Sequence, residues 1–585
     1  MKTNISCSLL ALWLALGTQP GMAADAAAGP ADYLKARPEV VEAWKDMRFG
    51  MFVCWGPVSL TGLEIGWSRA NRPGQPQGGN GPTPIDVYDN LYKKWKPEKF
   101  VARQWVRLAQ DAGAKYMIFL VKHHDGFCLY DTKLSDHKIT GPASAWKHDV
   151  MKDIAAACHE AGLKLIIYYS QPDWHHADYK TANHARYNRY FHGQVRELLS
   201  GYGRIDGLWF DLGGTAKEWE TEKLFKMARS IQPWLIINDR VGLPGDFGTP
   251  ENQVGHFDTS RPWETNATLG HQWSWKPHDT IRPLRECLQM LVVCACGDGN
   301  FALNTGPMPD GQIEPQQAER FREIGQWLNK YGESFYGTRG GPLRSPDERN
   351  RGQQEYYGNF SLAGGRYWGG STHKGNAVYL HILRWPTDTI QLPVIGKKVV
   401  AHSVLTGGQA EVKQSEEGIT VSVPAAQRAA VDTIVKLELD GPAADIKPTV
   451  WRPRSGSLAY HRKAVASNVY QNQAEFSPDK AFDDDPYTRW GCDWGTKSAW
   501  LEVDLGKLET IGRAHVSEPY DRVKKFELQH FNNGQWQTLA SGSTIGESLD
   551  LTFPQIAARR VRLNLLKCTE GPSIWEFQLF PPSRK

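Results

Sequence analysis

Polar and aromatic side chains follow four short apolar runs of this chain. They are Cys54-Trp55-Gly56, Lys122-His123-His124-Asp125, Trp209-Phe210-Asp211 and Asn238-Asp239-Arg240. Each group can titrate, donate a hydrogen bond or stack, and the reactive groups of (β/α) barrels lie at the carboxyl ends of their strands. One such group alone would be read as structural, but four at equivalent positions predict an active site.

Two pairs of adjacent histidines, His123-His124 and His175-His176, are compatible with metal-dependent hydrolysis. Adjacent residues of a strand point to opposite faces, so one pair seldom chelates an ion. A catalytic metal usually takes three protein ligands. A metal hydrolase is therefore the less favoured of two chemistries, and no cofactor is expected for catalysis.

The favoured chemistry is glycoside hydrolysis by two carboxylates. One is a nucleophile and the other an acid/base, and in retaining enzymes they lie roughly 5–5.5 Å apart. Asp211 follows Leu-Trp-Phe and precedes two glycines, which makes it the candidate nucleophile. Glu251, in DFGTPE, and Glu264, in PWE, are both candidates for its partner.

Alternating apolar and helical segments between residues 31 and 340 must position these side chains. Near-continuous apolar runs separated by helices are typical of a parallel sheet covered on both faces. At least six such runs in a region of about 300 residues favour a (β/α)8-like barrel, and no Gly-x-Gly-x-x-Gly turn follows the first run, which argues against a dinucleotide fold. The runs are Phe49–Cys54, Tyr116–Lys122, Leu163–Ser170, Gly207–Asp211, Leu235–Asp239 and Leu291–Cys296; the helical segments include Pro97–Ala112, His148–Ala161 and Pro315–Tyr331.

The chain after residue 340 consists of short β-type runs broken by Gly, Pro and polar turns. A small β-sandwich is predicted for residues 341–441 and a second all-β sandwich for residues 442–585, with Asp440–Pro453 as a linker. The runs are Ala377–Leu383, Lys397–Val404, Gly418–Val423, Trp500–Leu505, Phe526–Phe531 and Ala558–Leu563. The predicted fold class is α/β, a (β/α)8-like barrel followed by two all-β sandwich domains.

Composition excludes several functional classes. The 585 residues are 41% hydrophobic and 23% charged, which predicts three or four folded domains and excludes general disorder. The net charge of +4 is close to balance, so no nucleic acid and no acidic membrane surface is expected as a partner. The 23 Trp, 21 Tyr and 21 Phe are compatible with a protein whose aromatic rings stack on sugars.

The N-terminus predicts export. Lys2 supplies the positive charge, Ser8–Gly17 the apolar segment and Gly21-Met22-Ala23 the small-residue cleavage site of a signal peptide over residues 1–23. The mature protein is expected to be periplasmic or secreted, without an integral membrane segment, because no apolar stretch reaches about 20 residues. Apart from Cys7 in the signal peptide, the chain has eight cysteines, which form no CxxC pair and no disulfide framework. Cys294 and Cys296 are expected to be buried thiols.

The first region resembles the retaining α-L-fucosidases of glycoside hydrolase family 29. The resemblance covers residues 48–338 and depends on eight motifs in the expected order. They are RFGMFVCWGP (Arg48–Pro57), KHHDGF (Lys122–Phe127), LWFD (Leu208–Asp211), NDR (Asn238–Arg240), DFGTPE (Asp246–Glu251), PWET (Pro262–Thr265), GNFALNTGPMPDG (Gly299–Gly311) and NKYGESFYGT (Asn329–Thr338). It implies a barrel enzyme that releases α-L-fucose from fucosylated glycans by double displacement, and added β-domains are compatible with α-1,3/1,4 linkages.

The resemblance implies roles for the residues at matching motif positions. Asp211 matches the nucleophile and Glu251 the acid/base, with Glu264 as the alternative acid/base. The histidine pair matches ligands of sugar hydroxyls, Arg240 a carboxylate-positioning residue, and Trp273 a ring that covers the fucose methyl group. The implied substrate-binding residues are Cys54, Glu64, Trp67, His123, His124, Trp209, Arg240, Glu264 and Trp273.

Cys54 departs from the family pattern, in which His is common at this position. A thiol is a weak hydrogen-bond donor, and the loss of one ligand of a buried hydroxyl costs about 1–3 kcal/mol. Two alternatives to an ordinary α-L-fucosidase are therefore open: a hydrolase with an altered glycone preference, and a sugar-binding pseudoenzyme.

The last region resembles the discoidin, or coagulation factor V/VIII type C, modules that are often appended to glycosidases. The residues that carry the resemblance are AFDDDPYTRW (Ala481–Trp490), WLEVDLGK (Trp500–Lys507) and IWEFQLF (Ile574–Phe580). It implies a structural calcium ion held by Asp483 and Glu576, since hard oxygen ligands suit Ca²⁺. The alternative is an acidic loop that is merely solvated.

Overall fold

The computed structural model describes residues 33–71, 78–252, 254, 257–346, 360, 362, 366–451, 455–485 and 488–582. The predicted signal peptide lies outside them. In this part of the chain, none of the helices is long and apolar enough to span a bilayer. The described residues divide into two compact units, the first ending at Gly340 and including residue 360, the second beginning at Gly341.

A parallel sheet in the order β5-β4-β3-β2-β1-β7-β6 forms the centre of the first unit. Its strands are β1 (Phe49–Val53), β2 (Tyr116–Lys122), β3 (Lys164–Tyr169), β4 (Gly207–Trp209), β5 (Ile236–Ile237), β6 (Glu264–Thr268) and β7 (Asn300–Thr305). Isolated parallel bridges join Asn238 to Phe247 and Gly248 to Trp263. Residues 247–248 thus stand where an eighth strand would lie between β5 and β6, and the sheet curls into the predicted (β/α)8-like barrel.

Helices alternate with these strands along the first unit. They are α1 (Pro38–Met47), α2 (Ile85–Tyr88), α3 (Ala102–Asp111), α4 (Val150–Ala161), α5 (His184–Gly201), α6 (Ala216–Trp219), α7 (Thr221–Ile231), α8 (Leu284–Cys296) and α9 (Pro315–Tyr331). Helix α4 has clear end signals, because the Asp149 side chain accepts from the Lys152 backbone and Gly162 ends the helix with φ of 66°. Helix α9 has its predicted bounds.

One predicted strand of the barrel is wrong. Leu291–Cys296 is the last part of helix α8, and the strand β7 follows it at Asn300–Thr305. The helix is buried over nearly its whole length, so its apolar residues form a continuous run that resembles a buried strand. Cys294 and Cys296 are buried thiols, as predicted, and the other six cysteines of the described chain are also buried.

The second unit is built of β-strands. They are β9 (Leu343–Arg344), β10 (Gly369–Lys374), β11 (Ala377–Ile382), β12 (Thr389–Leu392), β13 (Val399–Val404), β14 (Glu411–Ser415), β15 (Gly418–Ser422), β16 (Thr433–Leu439), β17 (Thr449–Val450), β18 (Lys463–Ala466), β19 (Trp490–Gly491), β20 (Ala499–Ser517), β21 (Val523–Asn532), β22 (Gln535–Gly542), β23 (Leu549–Cys568), β24 (Ser573–Ile574) and β25 (Glu576–Phe580); β8 (Arg339–Gly340) belongs to the first unit.

Two antiparallel sheets, β13-β16-β11-β10 and β12-β15-β14, share one apolar core that includes Trp368, Leu380 and Val421. The C-terminal sheet, β18-β20-β23-β21-β22 with β25 on β20, surrounds a separate core that includes Trp490 and Leu563. The predicted linker is partly ordered, because Thr449–Val450 pairs with Leu343–Arg344.

Candidate active site

A pocket at the carboxyl end of the barrel sheet collects side chains from most of its strands. Asp211 follows β4, Cys54 follows β1 and Arg240 follows β5, so the strand-end residues predicted from sequence do converge. The residues that line the pocket are Phe52, Cys54, Trp67, His123, Tyr168, Trp209, Asp211, Leu212, Arg240, Glu251, Asn266 and Trp273.

Asp211 is held by donors on both carboxylate oxygens. Tyr168 Oη donates to Oδ2 at 2.6 Å, and Arg240 Nη1 donates to Oδ1 at 2.8 Å. Burial alone would raise the pKa of Asp211, but the charge of Arg240, helped by His124 and the Tyr168 hydroxyl, holds this pKa well below its usual range. The carboxylate is therefore ionised and fixed in position, as a nucleophile must be.

The backbone around Asp211 is also constrained. Its N–H donates to Gln171 Oε1 at 2.8 Å, and Gln171 Nε2 donates to the carbonyls of Gly213 and Arg240 at 3.0 and 2.7 Å. Leu212 has φ of 60°, an uncommon conformation for a bulky residue. The amide of Gln171 thus joins the segments that carry Asp211 and Arg240.

Arg240 connects Asp211 with Glu251. Its Nη1 lies 2.8 Å from Asp211 Oδ1 and 2.9 Å from Glu251 Oε2. Its Nε and Nη2 donate to Oγ1 and O of Thr249 at 2.9 and 2.8 Å, and its guanidinium lies 4.8 Å from the centre of the Trp209 ring. Two acids thus face the pocket beside one firmly held cation.

His123 and His124 lie in a turn beyond β2, where Gly126 N donates to His123 O, so strand alternation does not apply to them. Their rings are 4.0 Å apart, which corrects the expectation that they point to opposite faces. His124 Nδ1 is 2.6 Å from Ser170 Oγ, and its Nε2 is 3.5 Å from Asp211 Oδ2. Burial lowers the pKa of His124 to about 4 and that of His123 well below its usual value. Both rings are neutral near pH 7 and suited to hydrogen-bond hydroxyls.

A metal ion is the less favoured occupant of this site. Donor atoms of His123, His124 and Asp211 do lie within 4.8 Å of one another. However, Arg240 already neutralises Asp211 and would repel a divalent cation beside it. Tyr168 occupies the other carboxylate oxygen. The arrangement suits a neutral, hydroxyl-rich ligand better.

Glu64, His124 and Glu264 do not line the pocket, although the resemblance implies that all three contact substrate. Glu64 accepts from the backbone N–H groups of Ile65, Trp273 and Ser274 at 2.8, 2.9 and 3.2 Å, and thereby fixes the loop that carries Trp273. Its three backbone donors hold Glu64 in the loop, whereas Trp67 and Trp273 line the pocket.

Glu264 is fully buried inside the barrel, one layer below the pocket. Trp209 Nε1 donates to its Oε1 at 3.2 Å, and the Tyr116 hydroxyl donates to Oε2. Gly50 makes room for this, since a Cβ there would lie 2.2 Å from the Tyr116 ring. Burial raises the pKa of Glu264 to about 7, although the two hydrogen bonds oppose the rise. Glu251, and not Glu264, faces Asp211.

Four pocket residues were missed by sequence reasoning: Phe52, Tyr168, Leu212 and Asn266. Tyr168 lies near the end of the predicted strand Leu163–Ser170, and this position at a strand end is a sequence feature that indicates a pocket residue. Asn266 follows no apolar run, and its pairing with β7 and its bridge to Glu251 bring it to the pocket.

In the second unit, the predicted calcium ligands lie among acidic groups. Glu576 is buried, and within the described residues neither of its carboxylate oxygens accepts a hydrogen bond of good geometry, since the nearby Gln578 amide donates to Asp484 at 2.9 Å. Burial, followed by the charges of Asp483, Asp484 and Asp485, raises the pKa of Glu576 to about 9. An unpartnered carboxylate beside other carboxylates fits a hard divalent cation.

Comparison with known proteins gives consistent results for both regions. The family model described as Alpha-L-fucosidase matches residues 22–333, and that of the F5/8 type C domain matches residues 463–577. The mouse tissue α-L-fucosidase is 26% identical over 430 residues, which cover 67% of this chain and 89% of the mouse protein.

Two solved structures resemble different extents of the chain. That of α-L-fucosidase isoenzyme 1 from Paenibacillus thiaminolyticus has a TM-score of 0.58 at 29% identity and covers 69% of this chain and 99% of its own. That of the Vibrio sp. strain EJY3 α-L-fucosidase shares the fold over 94% of this chain and 99% of its own, with a TM-score of 0.60 at 21% identity. With a family match over more than half of its length, the chain belongs to the α-L-fucosidase family of glycoside hydrolases.

Proposed function

We propose that this α-L-fucosidase retains anomeric configuration, with Asp211 as nucleophile and Glu251 as acid/base. One observation carries the proposal: Asp211 Oδ1 and Glu251 Oε2 lie 2.8 and 2.9 Å from the same Arg240 nitrogen, hence at most about 5.7 Å from each other. Two carboxyl groups held by one guanidinium nitrogen support the shorter spacing of retaining enzymes, roughly 5–5.5 Å, over the roughly 6.5–9.5 Å by which inverting enzymes admit a water molecule.

The reaction proceeds in two displacements. Asp211 attacks the anomeric carbon while Glu251 protonates the departing glycosidic oxygen, and a fucosyl ester of Asp211 forms. Glu251 then takes a proton from water, whose oxygen attacks the same carbon and releases fucose and the Asp211 carboxylate. Arg240 contacts both acids, so it stabilises the negative charge of Asp211 before the first displacement and that of Glu251 in the ester intermediate.

Aromatic and neutral polar groups select the glycone. Trp67, Trp209 and Trp273 supply ring faces, and the neutral His123 supplies hydrogen bonds to hydroxyls. Cys54 lines the same pocket, and burial raises the pKa of its thiol, so it stays uncharged. We propose a fucosylated glycan as substrate, with α-1,3/1,4 linkages as the first to test and an altered glycone preference as the alternative.

The test is hydrolysis of a nitrophenyl α-L-fucoside by the full chain, with the first-formed anomer identified by NMR. α-L-Fucose as first product supports the proposal, and β-L-fucose contradicts it. Asp211→Gly should abolish turnover and, with azide, yield β-L-fucosyl azide. Asp206→Asn, at the other end of β4, is the matched control and should retain turnover. A protein that binds fucosides but does not hydrolyse them would be the pseudoenzyme.

A second function, carbohydrate binding by the C-terminal region, is favoured by an exposed platform of Trp494, Tyr520 and Arg522. Trp494 is 68% exposed, and the Arg522 guanidinium lies 5.0 Å from its ring and 4.1 Å from that of Tyr520. An exposed indole beside a second aromatic ring and a guanidinium is a typical recognition surface. In the Asp211→Asn background, Trp494→Ala should weaken retention of the protein on immobilised fucosylated glycan. In the otherwise wild-type protein, Trp494→Ala should leave turnover of the aryl fucoside unchanged. Equal retention with and without Trp494→Ala would exclude this function.

We also propose that the signal peptide directs export, that the barrel spans residues 31–340, and that the β-domains span residues 341–441 and 442–585. The calcium ion would be held by Asp483 and Glu576. The unpartnered oxygens of Glu576 support this ion, and its role there would be structural.

A further inference from the structure

Asn266 is a pocket residue whose carboxamide oxygen has no hydrogen-bond partner in the described part of the chain. It is 2% exposed, and its Oδ1 is buried without a partner. Burying an amide without a hydrogen bond is unfavourable, so an unpaired amide in a pocket points to a ligand that completes it.

The fold fixes the backbone of Asn266 independently of its side chain. Asn266 pairs with Ala302 of β7, and its carbonyl accepts from Asn252 N at 2.9 Å. Glu264 lies two residues earlier on the same face of β6 and fills the barrel interior. Asn266 is the next residue of β6 that faces the barrel axis, and it lies closer to the carboxyl end of the sheet, where the pocket is.

Glu251, which forms an isolated bridge with Asn266, is the strong hydrogen-bonding neighbour on this side, and its carboxylate is already bound by Arg240 at 2.9 Å. Cys54, two strands away in the order β6-β7-β1, offers only a weak donor. Trp273 and Phe52 are apolar at this wall. A carboxamide both donates and accepts, which matches the two capacities of a sugar hydroxyl.

We propose that Asn266 is a glycone-binding residue that hydrogen-bonds one hydroxyl of the sugar in this pocket. The proposal rests on the proposed function, because it takes the pocket to be the glycone site. It adds a specificity-determining residue that no motif of the sequence indicates.

The experiment is a cycle of variants and substrates. kcat/KM is measured for aryl α-L-fucoside and its 2-, 3- and 4-deoxy analogues with wild type and Asn266→Ala. We expect a loss of roughly 10-fold for the parent and for two analogues, and no loss for the analogue that lacks the contacted hydroxyl. An equal loss for all four substrates, or no loss for any, would overturn the proposal.

Asn188→Ala is the matched control. Asn188 is also buried with an unpartnered Oδ1, but it lies on helix α5 outside the pocket. The kcat/KM of Asn188→Ala should therefore equal that of wild type for each of the four substrates. Asn266→Ser, which keeps one polar atom, replaces the Ala variant if that protein does not fold. If wild type does not turn over, the proposed function fails, and the same cycle is measured as binding of L-fucose and its deoxy sugars.

Discussion

The buried acid Glu264 gives a quantitative prediction about stability and pH. Among the described residues, its carboxyl accepts hydrogen bonds only from the neutral donors Trp209 and Tyr116. Burial raises the pKa of Glu264 from an ordinary value of 4.5 to about 7. The folded protein thus binds this proton more tightly than the unfolded chain does, and the resulting stabilisation is complete below pH 4.5 and is lost as the pH rises through 7.

The magnitude follows from the difference between the two pKa values. At about 1.36 kcal/mol per pH unit, a pKa raised from 4.5 to about 7 corresponds to about 3 kcal/mol of unfolding free energy between pH 4.5 and pH 8. For a barrel of roughly 300 residues this amounts to about 5 °C in Tm. Glu264→Gln removes the titration but keeps an acceptor for Trp209.

The assay is the Tm of the barrel transition against pH for wild type and Glu264→Gln, measured by calorimetry. The Tm of the variant minus that of wild type should increase by about 5 °C between pH 4.5 and 8, because all other groups titrate alike in both proteins. Glu160→Gln, an exposed carboxylate paired with Arg103, should give parallel curves. Parallel curves for Glu264→Gln, or a difference that falls with pH, would refute the assignment of a protonated buried acid.

Three further predictions concern the pocket and the calcium site. Glu251→Ala should reduce kcat/KM for natural glycans by orders of magnitude more than for activated aryl fucosides, which need no protonation of the leaving group; an equal loss for both would contradict its role as acid/base. Cys54→His should change the ratio of kcat/KM for α-L-fucoside and α-L-galactoside, and an unchanged ratio with a lower Tm would remove Cys54 from the site. A chelator should lower the Tm of the C-terminal transition until Ca²⁺ is restored, and Glu576→Gln should abolish this response; a wild-type Tm insensitive to chelator would argue against the ion.

Local sequence is sufficient for the order of the barrel elements and for the residues at the strand ends. Tyr116–Lys122 is a strand as predicted, because a fully buried parallel strand needs an unbroken apolar run. Asp211 and Arg240 each follow such a run, and parallel strands carry their following residues to one end of the sheet. The same argument fails for Leu291–Cys296, because a buried helix also presents an unbroken apolar run.

The directions and partners of the side chains depend on the tertiary structure. Glu251 and Glu264 are equivalent candidates in the sequence, yet one faces Asp211 beside Arg240 while the other contacts Tyr116 and Trp209, which are 148 and 55 residues away. The rings of the histidine pair lie 4.0 Å apart because the chain turns after β2, and of the two only His123 is among the described residues that line the pocket. Asn266 reaches the pocket through its pairing with β7. Apolar periodicity reports burial along one segment, whereas these contacts arise from the closure of the barrel, which brings distant segments together.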